Sequence, residues 1–220
     1  MKAYQFLLTL DEVEPLVWRR FVIPTETSFK RLHDTIQFVM GWQDAHLYEF
    51  DIEREQDRLE IVEDEEMYEQ HLHEQRKMKL KPQSNTDTEF EKRYRQRLMH
   101  REMRKARTTK LPKYVETYNQ FVYRYDYGDD WNHQLQLEKV LLDYEVGHPI
   151  LLDGAGACPP EDVGGARGYQ DFLEACNDPE HPEHEEIKRW GKETYVPVFD
   201  IDFINRLMED LLRLKKIKAE

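Results

Sequence analysis

A stretch of aromatic and polar residues in alternation, FVYRYDYGDDWNHQLQLEKV at 121–140, constrains this chain more than any other feature. Alternation of this kind has the period of a strand and not of a helix. Between its halves Gly128-Asp129 suits the two central positions of a type II′ turn, so the segment predicts a long β-hairpin. In that register residues whose numbers sum to 257 face one another. Val122, Arg124, Asp126, Trp131, His133 and Leu135 then share one face, and a slip of one residue would exchange the faces.

The N-terminal part supplies further strands. Tyr4, Phe6, Leu8 and Leu10 alternate, and Val17 to Ile23 is a second β-rich run after Pro15, so the two predict another hairpin. Arg19 and Arg20 stand on opposite faces of that run among apolar neighbours, where a half-buried guanidinium calls for a carboxylate partner. Thr27 or Ser28 caps a predicted helix over 28–40, with Phe29, Leu32, Ile36 and Val39 on one stripe and Gly41 at its end. His46, Tyr48, Phe50 and Ile52 alternate in a third strand. Helical patterns follow at 169–176, 184–190 and 202–218, the last with Ile204, Leu207, Met208, Leu211 and Ile217 at helical spacing. Together these predict one α+β domain over 1–220, a mainly antiparallel sheet with packed helices.

Charge is segregated along the chain. Residues 53–74 carry a net −8 and residues 76–113 a net +10, against −13 for the whole chain. The remainder is strongly acidic and should repel nucleic acid over most of its surface. From 53 to 113 strand patterns fade into Glu, Lys, Arg, Gln and Met, which predicts a charged helical insertion that little of the core depends on. Phe90, Tyr94 and Leu98 recur every four residues beside ten bases in 92–113. A basic helix there, with Tyr123, Tyr125 and Tyr127 as a stacking surface, is the route by which nucleic acid would bind. The favoured alternative is that these bases pair with the acidic 53–74 segment and the tyrosines face a helix.

Several function classes are excluded or weakened by what is missing. No run of about 18 apolar residues exists, and the N terminus turns acidic after a few positions, which predicts a cytoplasmic protein with no membrane partner. Ser28 and Ser84 are the only serines and neither lies in G-x-S-x-G, so a serine hydrolase is not expected. Cys158 and Cys176 are too few for a disulfide framework or a four-thiolate zinc site and are expected to be free thiols. Cys158, in a glycine-rich loop followed by Pro159-Pro160, reads as an inert thiol before it reads as a nucleophile.

The segment 153–169, DGAGACPPEDVGGARGY, holds five of the nine glycines. With the hairpin tip it forms the densest collection of reactive residue types. The candidate binding surface is Arg19, His46, Asp126, Asp129, Trp131, His133, Glu161 and Asp162. As metal ligands, Asp126, His133, Glu161 and Asp162 are the weaker alternative, since Gly-Asp is ordinary turn chemistry and no H-E-x-x-H or C-x-x-C accompanies them.

The blocks LVWRRFVIP, FKRLHDTIQFVMGW with HLYEF, YDYGDDWNHQLQLE, and CPPEDVGGARGYQDFLEA with DPEHPEHEE occur in this order at 4–52 and 119–210. In them the chain resembles the plasmid pRiA4b ORF-3-like family. The resemblance implies a compact α+β fold and an association, in name, with plasmids and mobile elements. It brings no established activity and therefore no catalytic residue. The leading expectation is a non-enzymatic binding or adaptor protein for a protein or small ligand, using the acidic loop and hairpin tip and needing no ion. The alternatives are a metal-dependent hydrolase at the same cluster and a nucleic-acid-binding protein through 92–113.

Overall fold

The computed structural model describes residues 1–81, 84, 87–194 and 199–214. Among these, eight strands form one sheet: β1 (Ala3–Leu10), β2 (Trp18–Pro24), β3 (Tyr48–Glu53), β4 (Arg58–Val62), β5 (Arg101–Lys105), β6 (Gln120–Tyr125), β7 (Trp131–Leu141) and β8 (Ile150–Ala155). Their order is β5-β4-β3-β6-β7-β1-β2-β8, and every pairing is antiparallel except β4 with β5. At the centre β1 joins β7, with Ala3 opposite Leu141 and Leu10 opposite His133. The helices are α1 (Phe29–Met40), α2 (Glu65–Leu80), α3 (Glu89–Met99), α4 (Gly165–Asn177), α5 (His184–Thr194) and α6 (Ile201–Leu212), which makes the protein α+β. No described helix is long and apolar enough to cross a membrane.

One face of the sheet makes the core. Tyr4, Phe6 and Leu8 of β1, Phe21 and Ile23 of β2, Phe50 and Ile52 of β3, and Phe121 and Tyr123 of β6 are all buried on it, as the period of two requires. The α1 stripe Phe29, Leu32, Ile36 and Val39 closes over them with no exposure, each such side chain contributing about 1.5–3 kcal/mol. Ser28 caps α1 by accepting from Arg31 N–H, and Gly41 ends it at φ 86°, a left-handed angle where glycine has no steric penalty. α6 packs on α1 and β8, with Ile204, Met208 and Leu212 buried. The predicted helix 202–218 is thus found to Leu212, and 215–218 lie outside the described residues.

Two expectations are corrected here, the hairpin register and the all-helical charged segment. The β6/β7 hairpin pairs Tyr125 with Trp131 and Tyr123 with His133, one residue away from the type II′ register. Its turn is the five-residue loop 126–130, so Phe121, Tyr123, Tyr125, Trp131, His133 and Leu135 share the core face while Val122 and Arg124 lie on the other. The charged segment is not helical alone. Besides α2 and α3 it supplies β4 and β5, and Leu59, Ile61, Ala106 and Leu111 are fully buried in the main core. Its bases also pair with its acids: Arg101 with Glu60, Arg107 with Glu63 at 2.7 Å, and Lys105 with Glu65 and Glu69 at 3.4 Å each.

The two adjacent arginines of β2 also part company. Arg20 has the expected carboxylate, making two bonds to Glu138 at 2.8 and 2.9 Å. Arg19 is fully buried and makes no ion pair among the described residues. It donates instead to the carbonyls of Val39, Trp18 and Ala155 at 2.8 Å and of Gly156 at 3.0 Å, under the Phe199 ring.

Candidate functional site

In the loop between β6 and β7, Asp126 and Asp130 both take left-handed backbone angles, φ 57° and 56°. Asp130 N–H donates to the Asp126 carbonyl at 2.7 Å, and the Asp126 carboxylate accepts from Gly128 N–H at 2.8 Å. Aspartate tolerates this region because its short side chain bonds the nearby backbone. Asp44 (φ 57°) and Asp162 (φ 60°) repeat it in the two loops that close on the tip. Non-glycine residues persist in such sparsely populated conformations only where the surroundings over-determine them.

Those surroundings are a polar zipper between loop 42–46, loop 159–165 and the tip. Trp42 Nε1 donates to the Pro159 carbonyl at 3.0 Å, and Gln43 N–H to Glu161 Oε2 at 3.2 Å. The Tyr125 hydroxyl donates to Glu161 Oε1 and accepts from Ala45 N–H at 3.1 Å. Gly164 N–H donates to Asp129 Oδ2 at 3.1 Å. At Gly165 (φ 71°) a Cβ would stand 2.5 Å from the Asp129 carbonyl oxygen, so the loop approaches the tip this closely only with glycine there.

The zipper brings His46, Asp126 and Asp162 together, with one donor atom from each within 4.8 Å of the others. His46 Nε2 lies 3.6 Å from Asp126 Oδ2 and 3.3 Å from Asp162 Oδ1. That nitrogen is buried and makes no hydrogen bond. The cluster opens to solvent through Asp162, whose side chain is 76% exposed.

One ring away, on the inner side of Tyr125, lies a second histidine–aspartate cluster. Gln37 Nε2 donates to the Tyr123 hydroxyl at 3.1 Å, and that hydroxyl donates to His33 Nδ1 at 2.8 Å. His33 Nε2–H donates to Asp44 Oδ1 at 2.6 Å, and Asp44 N–H closes the ring on Gln37 Oε1 at 2.9 Å. The proton positions follow from the network: Tyr123 receives from Gln37 and so gives to Nδ1. Burial lowers the pKa of His33 despite Asp44, while the hydrogen bond from His33 lowers that of Asp44 to about 2. The pair is therefore a neutral imidazole on an ionised carboxylate, stacked on Tyr48 at 3.6 Å.

The structure separates the sequence-derived surface into two sets. His46, Asp126, Asp129, Glu161 and Asp162 gather at the tip, where Glu161 and Asp129 act as clasps and the other three as potential ligands. Trp131, His133 and Arg19 do not join them. Trp131 is buried with Trp42 above it, and His133 is fully buried in the core. His133 Nδ1–H donates to the Tyr123 carbonyl at 3.2 Å, and burial pushes its pKa down to about 4. In the actual register this histidine points inward, so His46 and not His133 faces Asp126. Cys158 sits near Arg19 as a free thiol, and burial pushes its pKa up, which suits an inert thiol. Asp44 and Gln37 carried no sequence signal beyond following one another around the end of a predicted helix.

The fold and tip define a class: an α+β protein with a mostly antiparallel eight-stranded sheet among the described residues, whose central hairpin ends in an acid-rich tip. The chain belongs to the plasmid pRiA4b ORF-3-like protein family, whose model matches residues 2–207, a span that includes the charged segment. It is 34% identical over 206 residues to "Uncharacterized protein y4hQ" of Sinorhizobium fredii, covering 93% of this chain and 89% of that protein. It is also similar to the crystal structure of MM3350 from Methanosarcina mazei Go1, a protein of unknown function. The TM-score is 0.67 at 28% identity, over 92% of this chain and 97% of that one.

Proposed function

We propose that this is a binding protein whose recognition surface is the hairpin tip, and that the tip takes a divalent cation between His46, Asp126 and Asp162. The observation that supports this reading is the buried His46 Nε2, which makes no hydrogen bond and faces two carboxylates. A buried polar atom without a partner costs about 1–3 kcal/mol, and a cation would remove that cost. The spacing also fits. Tetrahedral ligands with bonds of about 2.1 Å stand ~3.4 Å apart, and the observed separations from His46 are 3.3 and 3.6 Å. One imidazole and two carboxylates suit zinc or manganese better than calcium.

The exposed Asp162 leaves the cluster open to solvent on one side, where an anionic or carbonyl group of a partner could complete the shell of an ion held there. A hydrolase would use the same opening for water, but it would also need walls around its substrate, and the tip opens through the exposed Asp162. The binding reading is favoured on that ground. Elemental analysis and calorimetric titration with Zn²⁺ and Mn²⁺ test it. One ion per chain, bound by the wild type and lost in His46→Ala and Asp162→Asn, is the expected result. The absence of saturable binding by the folded wild type would overturn the cation. Metal-dependent turnover of a phosphate or carboxylate ester would overturn the binding role in favour of hydrolysis.

A further inference from the structure

On the other side of the 157–161 loop, away from the tip, a cavity of about 380 Å³ lies between the C-terminal end of α1, the Cys158-Pro159 segment and α6. Its size is that of a site for a small organic molecule. The walls are mainly apolar: Phe38, Met40, Trp42, Pro159, Ile204 and Leu207. Their polar neighbours are engaged elsewhere. Gln37 is fixed at both ends of its amide by Tyr123 and Asp44, and the Trp42 indole by the Pro159 carbonyl.

Arg19 is the exception. It lines this cavity, is fully buried, and has no carboxylate partner among the described residues. A guanidinium has five N–H donors. Four are used on the carbonyls of Val39, Trp18, Ala155 and Gly156, and none of the described residues takes the fifth, on Nη2. Carbonyl dipoles and the Phe199 ring 4.0 Å away soften the charge without cancelling it. Neither nearby acidic group supplies the missing anion. The Cys158 thiol is held neutral by its burial, and the Asp200 carboxylate, which also lines the cavity, caps α6 by accepting from Phe203 N–H at 2.9 Å and makes no ion pair with Arg19.

An apolar cavity backed by one buried cation that has no ion-pair partner among the described residues has a definite complement. We propose that this cavity binds a small amphipathic carboxylate, its hydrocarbon body between α1 and α6 and its carboxylate directed toward Arg19. The low-dielectric walls strengthen the attraction between the two charges, whereas an alcohol of the same length gains only the apolar contacts. The site is independent of the cation at the tip, so either can fail alone.

Equilibrium dialysis of the intact protein with octanoate, octanol and octylamine tests the assignment. Octanoate is expected to bind saturably, at least tenfold more tightly than octanol, with octylamine weakest. Leu207→Trp, which fills the cavity from α6 and leaves Arg19 in place, should abolish octanoate binding. Arg19→Met, if it folds, should abolish the preference of octanoate over octanol. If Arg19→Met does not fold, the octanoate-to-octanol ratio in the wild type and the Leu207→Trp result decide the matter. Equal affinity for acid and alcohol, no saturable octanoate binding, or unchanged binding in folded Leu207→Trp would each overturn the proposal.

Discussion

The two histidine–aspartate clusters on either side of Tyr125 are built from the same residue types, yet they differ in satisfaction. In the inner one, His33, Asp44, Tyr123 and Gln37 pass hydrogen bonds around a closed ring, so both imidazole nitrogens have partners. In the outer one, His46 Nε2 is buried with no hydrogen bond although two carboxylates stand close to it. Both places have three ligand atoms near enough for an ion, His33 and Asp44 with Asp34 at the inner one and His46, Asp126 and Asp162 at the outer. What separates structural joint from candidate site is therefore unused bonding capacity and not composition.

The largest effect expected from breaking this contrast lies on the inner side. His33→Ala removes a fully buried ring, leaves the Tyr123 hydroxyl and Asp44 short of partners, and should cost about 3–5 kcal/mol in urea unfolding. His46→Ala, measured without metal, should cost less than about 1 kcal/mol, because its Nε2 has no bond to lose. Equal costs would erase the distinction.

Acid should sharpen it. His133 titrates at about 4 in the fold against 6.5 ordinarily, so between these values the unfolded chain takes up a proton that the folded chain refuses. Stability then falls as pH drops through that window, by about 1.4 kcal/mol per pH unit and roughly 3 in all. His33, also lowered by burial, acts in the same direction. Its protonation would turn Nδ1 into a donor facing the Tyr123 hydroxyl and break the ring. Asp44, lowered to about 2, contributes stability that is present above its ordinary value near 3.8 and is lost only as pH falls toward 2. Unfolding curves from pH 7 to 3.5 should show the loss, and His133→Phe should flatten it. A wild-type profile that is level to pH 4 would contradict the buried neutral histidines.

Metal gives the next effect. At a hundredfold excess over Kd a bound ion adds about 2.7 kcal/mol to the wild type, read as a rise in melting temperature. His46→Ala should show none of it, while the inner ring should be indifferent to chelator. The smallest effect is Asp162→Asn without metal, within about 0.5 kcal/mol of the parent, because this carboxylate is mostly exposed.

Much of the fold was legible from periodicity. The alternation of Tyr4 to Leu10, the stripe of α1 with its Ser28 and Gly41 ends, and the face of Tyr48, Phe50 and Ile52 all appear where the pattern puts them. The hairpin register was not legible, because Gly128-Asp129 satisfies a local turn rule while the actual loop depends on two aspartates accepting left-handed angles. That single residue of slip put Trp131 and His133 on the buried face of Tyr123 and Tyr125 instead of the face of Arg124 and Asp126. Strands β4 and β5 were hidden by their charges: RLEIV reads as half polar, and REMRK offers only Met103. Their parallel pairing spans two intervening helices, which no local pattern reports. In the site, Asp126, Asp162 and His46 were all named from sequence. That His46 is the histidine beside those acids depends on the long-range zipper through Glu161 and Tyr125.

The pairing of Ala3 with Leu141 at the middle of the sheet has a consequence for how the chain is made. Translation proceeds at about 5–20 residues per second, so β1 leaves the ribosome roughly 7–30 seconds before its neighbour β7 exists. During that interval β1, an interior strand of the finished sheet, leaves open the edge that β7 will later pair. The newborn chain is thus most prone to self-association before residue 141 emerges. A ribosome-bound fragment ending near 130 should recruit general chaperones more strongly than one ending beyond 160.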